Sequence, residues 1–154
     1  MTSYTRSRAR SNTVMDIGVD DPIAVAQNAG PLPWDSPHRL LAWGYLPTGV
    51  KNWAVAYLTE WRSGFPYSVL DDNGFVQGPV NGRRYPDFFE LNLHLERRFV
   101  FRGYRWAFRF GANNLTNHQN PNAVINTLGA PNFLQYFGGQ HRASNFRIRW
   151  LGKI

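Results

Sequence analysis

The chain has 154 residues, the size of one ordinary domain. It carries a formal net charge of +7 and 16% aromatic residues, yet its mean hydropathy is −0.43. No stretch approaches the ~18 consecutive apolar residues of a transmembrane helix, and the absence of cysteine excludes disulfides and thiol chemistry. The apolar residues are instead dispersed through polar sequence, as in strands whose side chains alternate between two faces.

Alternation of apolar and polar side chains predicts six strands. In chain order they lie at residues 4–8, 41–45, 53–61, 91–101, 104–115 and 145–150. Tyr104 to Leu115 gives the clearest pattern, with aromatic residues on one face and arginine or asparagine on the other. Leu41, Trp43 and Tyr45 continue the aromatic face more weakly. The strands at 53–61, 91–101 and 104–115 have 9 to 12 residues, close to the ~9–11 that cross a bilayer at a tilt.

The connections alternate between long and short. Residues 46–50 and 101–104 are tight, whereas the connections near 10–37, 64–87 and 117–141 are long, and the first two are rich in glycine and proline. Compact soluble domains mostly use connections of ~2–6 residues, while outer-membrane barrels combine short periplasmic turns with long external loops. We therefore expect an all-β chain, namely an antiparallel up-and-down transmembrane β-barrel fragment of about six strands.

The two faces of the predicted strands supply the candidate site residues. Lumen-facing candidates are Arg105, Arg109, Arg147 and Arg149. Lipid-facing or girdle candidates are Trp53, Trp61, Trp106, Phe108 and Phe110. The arginines fit either a hydrated lumen wall paired with carboxylates or a site for an anionic substrate, and the tryptophans fit either an aromatic girdle or sugar stacking.

No pattern in the sequence predicts catalysis or a bound cofactor. His38, His94, His118 and His141 lack the spacing of a metal site. There is no nucleophile elbow and no glycine-rich phosphate loop in a strand–helix context. We expect a protein that is not an enzyme and that needs neither a metal nor a cofactor.

Several stretches resemble the C-terminal end of the β-barrel of TonB-dependent outer-membrane receptors, closest to the Oar-like subgroup with a carboxypeptidase-regulatory-like N-terminal domain. They read LPWDSPHR at 32–39, EWRSGFPY at 60–67, LNLHLERRF at 91–99, GANNLTNHQNP at 111–121 and RASNFRIRWLG at 142–152. The resemblance covers nearly the whole chain and is not specific for any substrate.

The resemblance implies that residues 1–154 form about the last six strands of a 22-stranded barrel, without the plug and the N-terminal strands. It implies a role in active uptake, as part of a longer precursor in the bacterial outer membrane. The implied partners are the rest of the receptor, membrane lipid and the barrel-assembly machinery, with TonB contacted only through the missing N-terminal part. Phe146, Ile148 and Trp150 resemble the C-terminal assembly signal, although the chain ends at Ile154 and not at an aromatic residue.

A second hypothesis is a soluble β-sandwich that binds carbohydrate or single-stranded nucleic acid on its aromatic face. The net charge of +7 is compatible with it. Strand length and the rhythm of the connections favour the barrel, and with it no nucleic-acid partner.

Overall fold

The computed structural model describes residues 1–12 and 29–154, so residues 13–28 of the first long connection lie outside the described part. Within this part no helix is long and apolar enough to cross a membrane. The strands are β1 (Thr2–Arg6), β2 (Arg10–Ser11), β3 (Gly30–Pro31), β4 (His38–Leu46), β5 (Trp53–Arg62), β6 (Pro66–Tyr67), β7 (Arg83–Arg84), β8 (Phe88–Phe101), β9 (Tyr104–Asn113), β10 (Ala123–Val124), β11 (Tyr136–Phe137) and β12 (Ala143–Lys153).

Six strands form one antiparallel sheet in the order β1-β4-β5-β8-β9-β12. Each of them pairs with the next long strand along the chain, which is an up-and-down meander. The prediction of an all-β chain with an antiparallel sheet is confirmed. β1 and β12 are the two edges of this sheet.

The ends of the sheet differ as the sequence predicts. Residues 47–52 and the two-residue turn Arg102-Gly103 connect strands at one end, which we call the turn end. Arg102 and Gly103 both have positive φ, 50° and 77°, as a type I′ hairpin turn requires. Residues 7–37, 63–87 and 114–142 connect strands at the other end, which we call the loop end.

The long connections contain some pairing that the sequence does not reveal. Three two-residue ladders, β2–β3, β6–β7 and β10–β11, lie inside them. Glycine and proline predict that residues 16–37 and 64–87 hold no strand, which is wrong for Gly30–Pro31, Pro66–Tyr67 and Arg83–Arg84. Proline is tolerated in β6 because the ladder is short and proline can lie at a sheet edge.

The aromatic side chains of β4 lie on the opposite face of the sheet from the one predicted. Leu41, Trp43 and Tyr45 pair with Glu60, Leu58 and Ala56. They therefore lie on the face of the sheet that carries Glu60, opposite the face that carries Trp61. Residues 40–46 are apolar at almost every position, so alternation cannot choose a face there. The hydrogen-bond register with β5 makes that choice.

Few apolar side chains are buried. Among the described residues, the buried ones are Pro66, Tyr67, Val80, Ala107 and Ala112. Buried polar residues are at least as numerous, and they lie on the polar face and in the loops. Within residues 1–12 and 29–154, the sheet thus has no apolar core sandwiched between two layers.

Candidate functional site: two faces and a loop layer

One face of the sheet is aromatic and aliphatic, and we call it the aromatic face. In β9 and β12 the register places Trp106, Phe108 and Phe110 opposite Trp150, Ile148 and Phe146. The exposed fractions of Phe146, Ile148 and Trp150 are 76%, 60% and 63%. Among the described residues no second layer covers this face. The lipid-facing candidates Trp53 and Trp61 lie on it as well, opposite Arg97 and Phe89.

Aromatic residues gather at both ends of this face. At the turn end, Tyr104 packs edge-on against Trp150, with 6.3 Å between ring centroids. At the loop end, His38 stacks between Tyr4 and Trp61 at 6.2 and 6.4 Å, and its Nδ1 is 2.7 Å from the Tyr4 hydroxyl. Between the two bands this face carries Val55, Tyr57, Leu93, Leu95 and Phe110.

Arg97 is the only charged residue of β8 on the aromatic face. Its guanidinium lies 5.2 Å from the centroid of the Trp53 ring. Both residues are near the turn end, since β5 begins at Trp53. A cation over an indole face is an arrangement that suits a membrane interface, where a long basic side chain reaches the headgroups.

The opposite face is polar, and the four lumen-facing candidates lie on it. Arg109 is opposite Arg147, Ala107 is opposite Arg149, and Arg105 is opposite Gly152. On the β8 side Arg109 faces Glu96. We call this surface the polar face.

Glu96 is the centre of the ionic contacts on the polar face. It is only 6% exposed. Its Oε1 accepts a hydrogen bond from Arg98 Nε at 3.1 Å, and its Oε2 accepts one from Arg149 Nη2 at 2.9 Å. Arg109 Nε lies 3.4 Å from the same Oε2. Three guanidiniums from three strands therefore surround one carboxylate.

The structure brings together only some of the predicted arginines. Arg109 and Arg149 meet at Glu96, whereas Arg105 makes only a long contact of 3.5 Å to the Lys153 carbonyl. Arg98 belongs to the group but was missed, because alternation identifies faces and not contacts across strands. The small residues opposite these charges, Ala54 beside Glu96 and Ala107 beside Arg98, are the sequence signal that could have located the group.

A second carboxylate lies near the loop end of the polar face. Glu60 Oε1 accepts a hydrogen bond from Arg39 Nε at 2.9 Å and is 3.8 Å from Arg62 Nε. Arg62 also lies over the rings of Phe65 and Phe88, at 4.1 and 4.4 Å from their centroids. These contacts connect the strands to the start of the second long loop.

Asparagine side chains attach the last long loop to the sheet. Asn114, 1% exposed, donates from Nδ2 to the carbonyls of His118 and Gln140, both at 2.9 Å, and accepts from the His118 amide at 3.0 Å. Asn120 accepts from the Phe89 amide at 3.0 Å and donates to the Phe89 carbonyl at 2.8 Å. The side-chain amide of Asn120 thus replaces the missing neighbour of β8 beyond the end of β9.

Two of the long connections join in a shared loop layer. Tyr67, Tyr85 and Tyr136 form a cluster with 5.1 to 6.4 Å between ring centroids. The hydroxyls of Tyr67 and Tyr136 are 3.0 Å apart. Burial, with this hydrogen bond as the next cause, raises the pKa of Tyr67 to about 12. Burial also raises the pKa of Tyr85.

A buried ion pair holds the first long connection against the second. Asp35, 2% exposed, pairs with Arg84, and Arg84 Nη1 also donates to the carbonyls of Asp35 and Gly64 at 2.8 and 3.0 Å. The Asp35 carboxylate accepts from the Ala9 amide at 2.5 Å. The loops at this end are thereby fixed to one another as well as to the strands.

The loop layer contains an open pocket of about 410 Å³. His118 and His141, the two histidines that flank the last loop, both line it, together with Tyr136 and Phe137. In residues 1–12 and 29–154 no three His, Cys, Asp or Glu side chains are grouped as metal ligands would be.

Comparison of the chain with known protein families, with curated proteins and with solved structures finds no match in any of the three. The sequence and the geometry described above are therefore the basis for a functional assignment.

Proposed function

We propose that this chain is the C-terminal part of a TonB-dependent outer-membrane receptor, where it supplies barrel wall and external loops for active uptake. The observation that carries the membrane assignment is the uncovered aromatic face. Large apolar surfaces on soluble monomers are rare and mark contact with another protein or a membrane. The narrower assignment to this receptor family depends on the sequence resemblance alone.

The spacing of the aromatic bands supports a membrane-spanning sheet. Trp53 and Trp61 lie eight residues apart in β5, which is about 26 Å along a strand. A tilt of ~40° shortens this to about 20 Å, against the ~25 Å height of the apolar band in outer-membrane barrels. Those barrels carry aromatic girdles at both edges of the band, and the turn end and the loop end supply both.

The two ends of the sheet also fit this orientation. Short turns would face the periplasm and the loop layer would face outward, as in outer-membrane barrels. The polar face would then line the lumen, with its arginines hydrated and paired to Glu96 and Glu60.

Closure of the barrel requires strands beyond those described. The edges β1 and β12 do not pair with each other, and the smallest membrane barrels have eight strands. An unpaired strand edge in lipid costs several kcal/mol for each backbone group. We propose that the rest of the receptor supplies the missing strands and the plug, with membrane lipid and the barrel-assembly machinery as the other partners.

A cysteine-labelling experiment tests the membrane assignment. The chain has no cysteine, so single cysteines introduced at Phe146 and at its neighbour Arg147 are unique within it. These residues project to opposite faces of β12. In outer membranes containing the native gene product, a fluorophore at position 146 should be quenched by brominated lipid chains, whereas one at position 147 should not.

Equal quenching at both positions, or recovery of the gene product in the soluble fraction, would contradict the proposal. The soluble β-sandwich predicts the second result. The family assignment has its own test in the reading frame upstream of Met1, which should continue into further alternating strands and a plug domain.

A further inference from the structure

The polar face holds a pocket of about 240 Å³ with charged walls and a small-residue floor. The floor and walls include Ala54, Ala56, Glu96, Arg98, Arg109 and Arg149. Alanine occupies the positions in β5 opposite Glu96 and His94. The small alanine side chains leave space on the polar face for the larger side chains of β8 and β9. The pocket is therefore built by the strand register.

The charges in this pocket do not balance. Glu96 is the single carboxylate among the pocket residues, and it faces three guanidiniums. The three guanidiniums therefore exceed the carboxylate by two positive charges. A carboxylate that is 6% exposed cannot be reached by further donors without displacing the present ones.

The hydrogen bonds in the pocket are incomplete as well. Arg109 Nε is buried and has no hydrogen-bond acceptor among the described residues, although it lies 3.4 Å from Glu96 Oε2. His94 also lines the pocket, and its Nδ1 is buried without a hydrogen-bond partner among the described residues. Buried polar atoms are usually satisfied, so Arg109 Nε is a donor that the oxygen of a bound anion can pair with.

We propose that this pocket binds an oxyanion, a phosphate or a carboxylate group, held by Arg98, Arg109 and Arg149. Guanidiniums present a planar set of donors that matches the oxygens of both groups. Glu96 is a positioning residue, because it holds the three side chains together without itself contacting an anion favourably. That the anion travels along a barrel lumen rests on the proposed function, whereas the site requires only the sheet.

The test is isothermal titration calorimetry of the purified native gene product in detergent, with inorganic phosphate as the titrant. We expect saturable binding that weakens as sodium chloride is added, because salt screens exposed charges. Arg109→Gln and Arg149→Gln should each weaken binding about tenfold, the effect of ~1.4 kcal/mol. Arg142→Gln is the matched control, since it removes the same charge from a residue outside the pocket, and it should leave the affinity unchanged.

If circular dichroism shows that Arg109→Gln does not fold, Arg109→Lys replaces it as the test variant because it keeps the positive charge. Arg109→Lys should weaken binding about threefold, since lysine lacks the planar set of donors of a guanidinium. A parallel titration with acetate distinguishes a site for carboxylates from one for phosphate. Absence of saturable binding of either anion to the folded chain, or equal weakening by Arg142→Gln, would overturn the inference. Neither of these two results would change the outcome of the lipid-quenching test. The anion site and the membrane assignment can therefore be disproved independently.

Discussion

Three asparagines between residues 114 and 120 show how single side chains determine this structure. Asn114 and Asn120 hold backbone groups that have no strand partner, and Asn117 accepts a hydrogen bond from the Arg142 amide at 3.0 Å. Asn114 and Asn117 also adopt positive φ, 48° and 54°, which asparagine tolerates better than most residues. The NLTNHQN stretch is therefore a structural element that attaches the last long loop to β8 and to the residue before β12.

Substitution of Asn114 should be among the most damaging single changes. Asn114→Ala removes three hydrogen bonds of a side chain that is 1% exposed, at a cost of about 3 kcal/mol. The midpoint of urea unfolding in detergent measures the loss. Thr116→Ala, at an exposed position in the same loop, is the control and should change stability by less than about 0.5 kcal/mol. Equal effects of the two changes would refute the structural role.

The Tyr67 cluster predicts a loss of stability at high pH. The pKa of Tyr67 is about 12 in the folded chain, above the usual value of 10.0. Its contribution is fully present below pH 10 and declines as the pH rises from 10 towards 12, because the unfolded chain releases the proton first. Unfolding midpoints at pH 9 and 11 should differ more for the wild type than for Tyr67→Phe. The same pH dependence in both would exclude the cluster as its source.

At the scale of strands, Gly111 allows β8, β9 and β12 to pack their polar side chains together. A Cβ at this position would lie 2.3 Å from His94 Nδ1 and 2.7 Å from Asn145 Oδ1. Both neighbours pair with Gly111 across the sheet. We expect Gly111→Ala to destabilise the chain by about 1–3 kcal/mol through overpacking.

A second substitution distinguishes a steric clash with His94 from a loss of stability that any side chain at position 111 would cause. His94→Ala removes the nearest side-chain atoms, so the double variant should recover part of the stability lost in Gly111→Ala. Unfolding midpoints of the four chains in this cycle give the coupling between the two sites. Additive losses would show that the contact does not limit Gly111.

The strands and their order could be predicted from sequence because alternation and connection length report them directly. Two features escaped that reasoning for physical reasons. The face of β4 depends on its register with β5, since Leu40 to Leu46 are apolar on both sides. The Glu96 group and the Asn120 contact to Phe89 join residues 53 and 31 positions apart, and periodicity within a strand carries no such information.

For the whole molecule, the dominant property is the contrast between its faces. Exposed apolar surface drives association in water at ~25 cal/mol for each Å² buried, so the chain should aggregate unless detergent or lipid covers the aromatic face. Phe146→Thr combined with Ile148→Thr should lower the detergent needed to keep the chain in the supernatant. Arg147→Thr combined with Arg149→Thr alters the polar face of the same strand and should not lower it. A chain that stays monomeric in buffer would contradict this expectation.

The Asn120 contact has a kinetic consequence at the loop end of β8. The Phe89 amide has a side chain as its acceptor, so its exchange with deuterium should follow the opening of one residue in the loop and not the separation of β8 from β9. It should exchange faster than amides in the centre of β8 and slower than unbonded loop amides. In Asn120→Ala the protection of the Phe89 amide should disappear, while amides at the centre of β8 stay protected. Exchange at Phe89 therefore reports how often the loop opens.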